Sequence, residues 1–134
     1  MNGQTIINAS AGLFGAFLTF AFGGWTEALT FLAVLFVADI ASGVYASVRE
    51  GRGISSAVAS IGGAKKGLML LVILIAHRAD VLLGSDALIM TGAVYFYISN
   101  ELLSITENYG RSGLPLPDEI KRLVTVLRDK GGDR

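Results

Sequence analysis

The sequence predicts an all-α fold: an integral membrane bundle of about four transmembrane helices followed by a cytoplasmic amphipathic C-terminal helix. Three observations carry this expectation. Hydrophobic residues make up 52% of the 134-residue chain and charged residues only 16%, whereas a typical soluble domain carries about a quarter charged. The charge is also unevenly placed, because residues 1–26 carry none and ten charged side chains fall in 111–134. Finally, four apolar segments follow one another with little polar sequence between them, which is more apolar surface than a chain of this length can cover in water.

Each element follows from local sequence. Residues 6–22 are uncharged and end at Gly23-Gly24. The residues ahead of them lack Lys and Arg, so the basic stretch that opens a signal peptide is missing and the segment is expected to stay as a helix. Residues 28–48 are long enough to cross ~30 Å of hydrocarbon at ~1.5 Å per residue, and they carry one acid, Asp39. Residues 67–83 open with the unbroken apolar run from Leu68 to Ile75 and turn polar at His77, Arg78 and Asp80. Residues 87–105 are apolar as far as Asn100 and Glu101.

The connectors 23–27 and 84–86 are tight links. The connector 49–66 is longer and holds Arg49, Glu50, Arg52, Lys65 and Lys66, with Gly51, Gly53, Gly62 and Gly63 expected to break helix. With four spans, this connector and the C-terminal tail share one side of the membrane. That side then holds ten of the eleven Lys and Arg residues, while the tight links hold none. Lys and Arg favour the cytoplasmic face, so both termini are expected there. The chain divides into a transmembrane helical bundle over residues 1–110 and a cytoplasmic charged helical tail over 111–134.

In the tail, Pro115 and Pro117 stop what precedes them, and Pro117-Asp118-Glu119 reads as a helix start. Ile120, Leu123, Val124 and Leu127 then fall at i, i+3, i+4 and i+7, an apolar strip with Lys121, Arg122 and Arg128 beside it. Such a strip docks on the membrane surface or on the chain's own bundle.

Polar groups inside the spans are the candidate functional residues, because each is costly in hydrocarbon unless paired, neutral or wet. Asp39 lies about nine residues, ~13 Å, from the cytoplasmic end of its segment. Arg78 lies about eleven residues into the third segment from the same side, ~16 Å deep, so an Asp39–Arg78 contact is geometrically possible. His77 and Asp80, three apart on one face, are placed to hydrogen-bond locally. Tyr97, Asn100, Glu101, Ser104 and Asn108 recur at helical spacing as a polar stripe that must face other helices, a neighbouring subunit or water. Small residues at four-residue spacing, Gly12 with Ala16, Ala38 with Ser42 and Ala46, and Gly43 in the series Asp39, Gly43, Ser47, suit close helix packing within or between chains.

Several stretches resemble a known family. Asp39-Ile40-Ala41-Ser42-Gly43, then Lys65-Lys66-Gly67, Ala76-His77-Arg78-Ala79-Asp80, the run Tyr95 to Asn108 (YFYISNELLSITEN) and Gly113-Leu114-Pro115-Leu116-Pro117 occur in that order. Together they look like the phage lysis and toxin-secretion holins, over about residues 32–128. Arg78 stands where that family more often has an apolar residue. The resemblance implies a non-enzymatic protein that accumulates in the bacterial cytoplasmic membrane, associates with itself and opens lesions at a timed moment, releasing an endolysin or toxin without needing to touch it.

Other classes remain as alternatives: a small selective ion channel or transporter using Asp39, His77, Asp80 and Glu101, or a membrane scaffold that recruits a partner through its C-terminal helix. An enzyme is not expected, since no nucleophile–base pair or phosphate-binding loop is recognisable. A net charge of zero gives no sign of nucleic acid. Without cysteine and with a single His, neither a metal site nor another cofactor is expected. The partners that remain are the lipid bilayer and further copies of the chain.

Overall fold

The computed structural model describes residues 2–132. Among them every regular element is helical: α1 (Gly3–Phe22), α2 (Glu27–Arg49), α3 (Ser56–Leu83), α4 (Leu88–Ser112) and α5 (Asp118–Gly132). The first four, of 20, 23, 28 and 25 residues, are long and apolar enough to cross a membrane, which makes the chain a multi-pass membrane protein.

The helix ends are set by local chemistry. The side chains of Asn2, Thr26 and Ser55 accept hydrogen bonds from the backbone N–H of Thr5, Leu29 and Val58, capping α1, α2 and α3. Gly84 closes α3 in the left-handed conformation, at φ 65°, where a residue without Cβ is least strained. The start of α4 differs: Ala87 is itself left-handed, at φ 64°, and supplies no side-chain cap.

At the centre of the bundle stands α4. Helices α2, α3 and α5 each pack on it, and α1 packs on α3. The core they enclose includes Leu29, Leu32 and Leu35 of α2, Ile73 and Ala76 of α3, and Met90, Val94, Ile98, Leu102 and Ile105 of α4. Outward faces are apolar as well, with Val34, Val37 and Ile40 on α2 and Leu68, Leu71 and Ile75 on α3 all exposed. An apolar exterior around an apolar interior suits lipid, where burial alone drives no helix association. In α1 only Ala21 and Phe22 are buried and Leu18 packs against the core, so residues 3–17 offer their surface to lipid or to another chain.

Two expectations about helix limits are corrected. Gly62 and Gly63 do not break helix; they lie inside α3, which begins at Ser56. A helical Gly costs ~1 kcal/mol relative to Ala, less than leaving backbone groups unpaired at the membrane. The chain turns instead at Gly51 and Gly53, whose φ values are 78° and 68°. Likewise α4 continues past the end of the apolar segment at Ile105 as far as Ser112.

Helix α5 carries the tail's apolar strip. Val124 is buried in the core cluster and Leu123 and Leu127 pack against that cluster, while Ile120 is half-buried. The link from Gly113 to Pro117 is short, and α5 packs on α4.

Candidate functional site

Asp39 of α2, Lys66 of α3 and Glu101 of α4 meet inside the bundle. The Lys66 ammonium donates to Asp39 Oδ2 at 2.7 Å and to Glu101 Oε2 at 2.9 Å. The three side chains are 16%, 13% and 3% exposed. Helix lengths explain the meeting: Asp39 lies ten residues before the end of α2, Lys66 ten after the start of α3 and Glu101 eleven before the end of α4. At ~1.5 Å of rise per residue all three sit ~15–17 Å from the same end of the bundle.

The Asp39–Arg78 contact that the sequence left possible is not made; Asp39 pairs with Lys66. With α3 starting at Ser56 rather than near Gly67, Lys66 reaches the depth of Asp39 and Arg78 lies twelve residues, ~18 Å, further along. The Arg78 guanidinium instead lies over the Phe20 ring of α1, 4.7 Å from its centre. Lys66 also faces an aromatic ring, Phe36, at 5.1 Å, an arrangement that favours a cation in place of lost water.

The rest of the cluster completes the hydrogen bonding of Asp39. Its Oδ1 accepts from Ser104 Oγ at 2.6 Å and from Asn108 Nδ2 at 3.0 Å. Asn108 Nδ2 also lies 3.0 Å from Ser42 Oγ. Through its own carbonyl Asn108 accepts from Arg111 at 3.1 Å, and Arg111 donates to Glu50, which also accepts from Arg52. A continuous polar ladder therefore runs from Glu101 through Lys66, Asp39, Asn108 and Arg111 to Glu50 at the end of α2. At its outer end the Arg111 and Arg52 guanidinium groups hold the Glu50 carboxyl below its ordinary value of 4.5. Among the described residues no buried side-chain polar atom is left without a partner.

Two carboxylates share one ammonium, so the cluster carries a net negative charge when all three groups are ionised. It can fix α2, α3 and α4 in one arrangement. Losing a proton balance or a helix contact there changes the packing of three spans together, because buried polar networks act as units.

The expected polar stripe on α4 divides. Glu101 and Asn108 are buried and Ser104 half-buried, all turned inward, whereas Asn100 is exposed. Each residue advances about 100° around a helix, which takes Asn100 well away from Glu101. Tyr97 is half-buried and meets Phe96 edge-on at 5.5 Å.

The small residues also divide. On α2, Ala46 is fully buried, Ala38 packs on the core, and Ser42 and Gly43 face Asn108, with a Cβ at Gly43 falling 3.5 Å from its amide. On α1, Gly12 and Ala16 are exposed, and nothing lies within 4 Å of where a Gly12 Cβ would be.

At the opposite end of the bundle, His77 and Asp80 do not hydrogen-bond to each other. Asp80 is 3% exposed, and it caps α4. Its Oδ1 accepts from Ser85 Oγ at 2.5 Å and Ile89 N–H at 2.9 Å, and its Oδ2 from Met90 N–H at 2.8 Å. Those free N–H groups form the positive end of the helix, where a carboxylate is favourable. Asp80 thus supplies from α3 the cap that Ala87 lacks. His77 packs over Gly23, where an added Cβ would come 2.7 Å from its ring. Both line a cleft of about 450 Å³ between the ends of α1, α3 and α4.

Glu50 and Arg111 entered the sequence expectations only as connector and tail charges, and Lys66 as a connector charge and part of the Lys65-Lys66-Gly67 stretch. The signal that would have placed Lys66 was its distance from the Ser55 cap, counted against the distance of Asp39 from Arg49.

Comparison with known proteins gives a family and several relatives. The model of the bacteriophage holin family matches residues 16–129. A protein of Halalkalibacterium halodurans is 38% identical, covering 93% of this chain and 96% of its own length. The probable holin of Bacillus phage phi105 is 32% identical over 95% of this chain and 87% of its own. A 14.9 kDa protein of Clostridium perfringens is 35% identical over 87% and 88%. No solved structure matches.

Proposed function

We propose, from the premise that this chain belongs to the bacteriophage holin family, that it permeabilises the cytoplasmic membrane of a bacterial host at a timed moment. Copies gather in that membrane and associate, and the lesion they open lets an endolysin or toxin pass. No catalysis is involved. The relative named a probable holin, from Bacillus phage phi105, supports this reading.

The observation that carries it is the Asp39–Lys66–Glu101 cluster. A lesion needs polar surface, and a single bundle crossing lipid must hide it. This chain stores charged and hydrogen-bonding groups on three spans behind apolar outer faces, held by contacts that a rearrangement of helices would break. In the resting bundle the cluster locks the spans together; in the assembled lesion the same groups face water. Both termini lie in the cytoplasm, on the basic side of the chain.

Expression in a bacterium tests the reading. A holin collapses the membrane potential abruptly after a delay and releases a co-expressed cytoplasmic protein. Passage of ions with retention of that protein would refute it in favour of a selective channel. Asp39→Asn keeps the size of the side chain but removes a charge from the cluster, so it shifts the onset of collapse without preventing insertion. Glu101→Gln acts in the same direction. Cysteines at Ser85 and near the C-terminus should label from opposite sides of the membrane; labelling from one side would exclude the four-span orientation.

A further inference from the structure

Helix α4 has one face whose centre is exposed among the described residues. Along it Ile89, Ala93, Phe96, Asn100, Leu103 and Glu107 recur at alternating spacings of four and three, the repeat of a helix–helix seam in a coiled coil. Ile89 is 40% and Phe96 54% exposed, Asn100 and Glu107 are exposed too, and Ala93 and Leu103 at the edges of the face are half-buried where they also touch the core. We propose that this face is the surface on which a second copy of the chain docks, α4 against α4 in parallel, with the two Asn100 amides hydrogen-bonded to each other.

Asn100 decides the occupant. It lies at the midpoint of α4, twelve residues from either end, and its exposed side chain meets no partner among the described residues. Lipid tails offer neither donor nor acceptor. A side-chain amide carries both, so it is complementary to an identical amide. Copies inserted with the same orientation bring identical residues to the same depth, which an unrelated partner would do only by coincidence. An Asn at one position of a helix–helix seam also fixes register and subunit number. Glu107 of each copy then faces its twin in the last turns of α4, where repulsion opposes the pair.

The seam rests on the proposed self-association and names its surface. The chain contains no cysteine, so each introduced thiol is the only one present. The full chain, reconstituted at low density in phosphatidylethanolamine–phosphatidylglycerol vesicles, should form disulfide dimers through Phe96→Cys or Leu103→Cys. Val37→Cys on α2 and Leu71→Cys on α3, also outward-facing, should crosslink at least about tenfold less, because a disulfide demands close approach of the two Cβ atoms. Asn100→Ala should weaken association about three- to tenfold, the scale of hydrogen bonds between membrane helices, and Asn100→Gln should restore much of it. Glu107→Gln should strengthen it. Equal crosslinking at the four positions, absence of crosslinking at Phe96 and Leu103, or an Asn100→Ala chain that associates normally would overturn the seam. A chain that crosslinks at Phe96 and Leu103 but does not permeabilise cells would keep the seam and refute the function. A chain that permeabilises while crosslinking elsewhere would do the reverse.

Discussion

Lys66→Met should be among the most damaging single substitutions in the bundle. The change keeps the length of the side chain and removes the cation that pairs with both Asp39 and Glu101. Those ion pairs measure 2.7 and 2.9 Å, and Glu101 is only 3% exposed. Removing one partner of a buried pair costs ~3–5 kcal/mol, because the remaining charge keeps its desolvation penalty and loses its attraction. Here two carboxylates are left facing each other. Asp39 retains Ser104 and Asn108, and Glu101 can take up a proton, so the lower end applies, about 3 kcal/mol. The same reasoning predicts rescue. Adding Asp39→Asn and Glu101→Gln to Lys66→Met removes every charge and leaves a neutral cluster that recovers most of the loss. Unfolding of the purified chain by SDS in mixed micelles, followed by far-ultraviolet circular dichroism, measures both steps. A Lys66→Met chain as stable as the parent, or a neutral triple variant no better than Lys66→Met alone, would refute the view that Lys66 holds two buried acids.

Three further predictions follow from the other contacts. Asp80→Ala removes all three hydrogen bonds that fix the start of α4 and should destabilise the bundle clearly more than Asp80→Asn, which keeps one acceptor oxygen; the same SDS titration ranks the two. Val124 is 6% exposed and Val126 is 53% exposed, so Val124→Ser should release α5 at a cost of about 1.5 kcal/mol or more. Val126→Ser should leave it docked, with protease cleavage of the tail as the readout. Glu50 has a lowered folded-state pKa, so the stabilisation it shares with Arg111 and Arg52 is present above its ordinary value of 4.5 and is lost as the pH falls through the lowered value. The increment is small for an exposed group, and Glu50→Gln should narrow the difference in unfolding midpoint between neutral and acid pH by that increment.

Composition and the distribution of charge were enough to place this chain in a membrane and to count its spans, because twenty or so apolar residues in a row have few other stable environments. The tail strip, too, was legible from periodicity alone: Leu123, Val124 and Leu127 fall on one side of any helix, whatever it docks on. Pairing was not legible. Whether Asp39 meets Lys66 or Arg78 depends on where α3 begins, and Gly62-Gly63 read as a break in sequence while the backbone carries helix through them. A shift of eleven residues in that start moves every side chain of α3 by ~16 Å along its axis. The role of Asp80 was hidden for a related reason, since a cap given by one helix to the next requires their ends to be adjacent in space. Rotation of α4 decided the remainder. A stripe of polar letters does not say which member turns inward, and only packing of α2, α3 and α5 around α4 buries Glu101 and Asn108 while leaving Asn100 outside. Sequence fixes what a helix carries on each face, but burial of one face against its neighbours is a property of three dimensions.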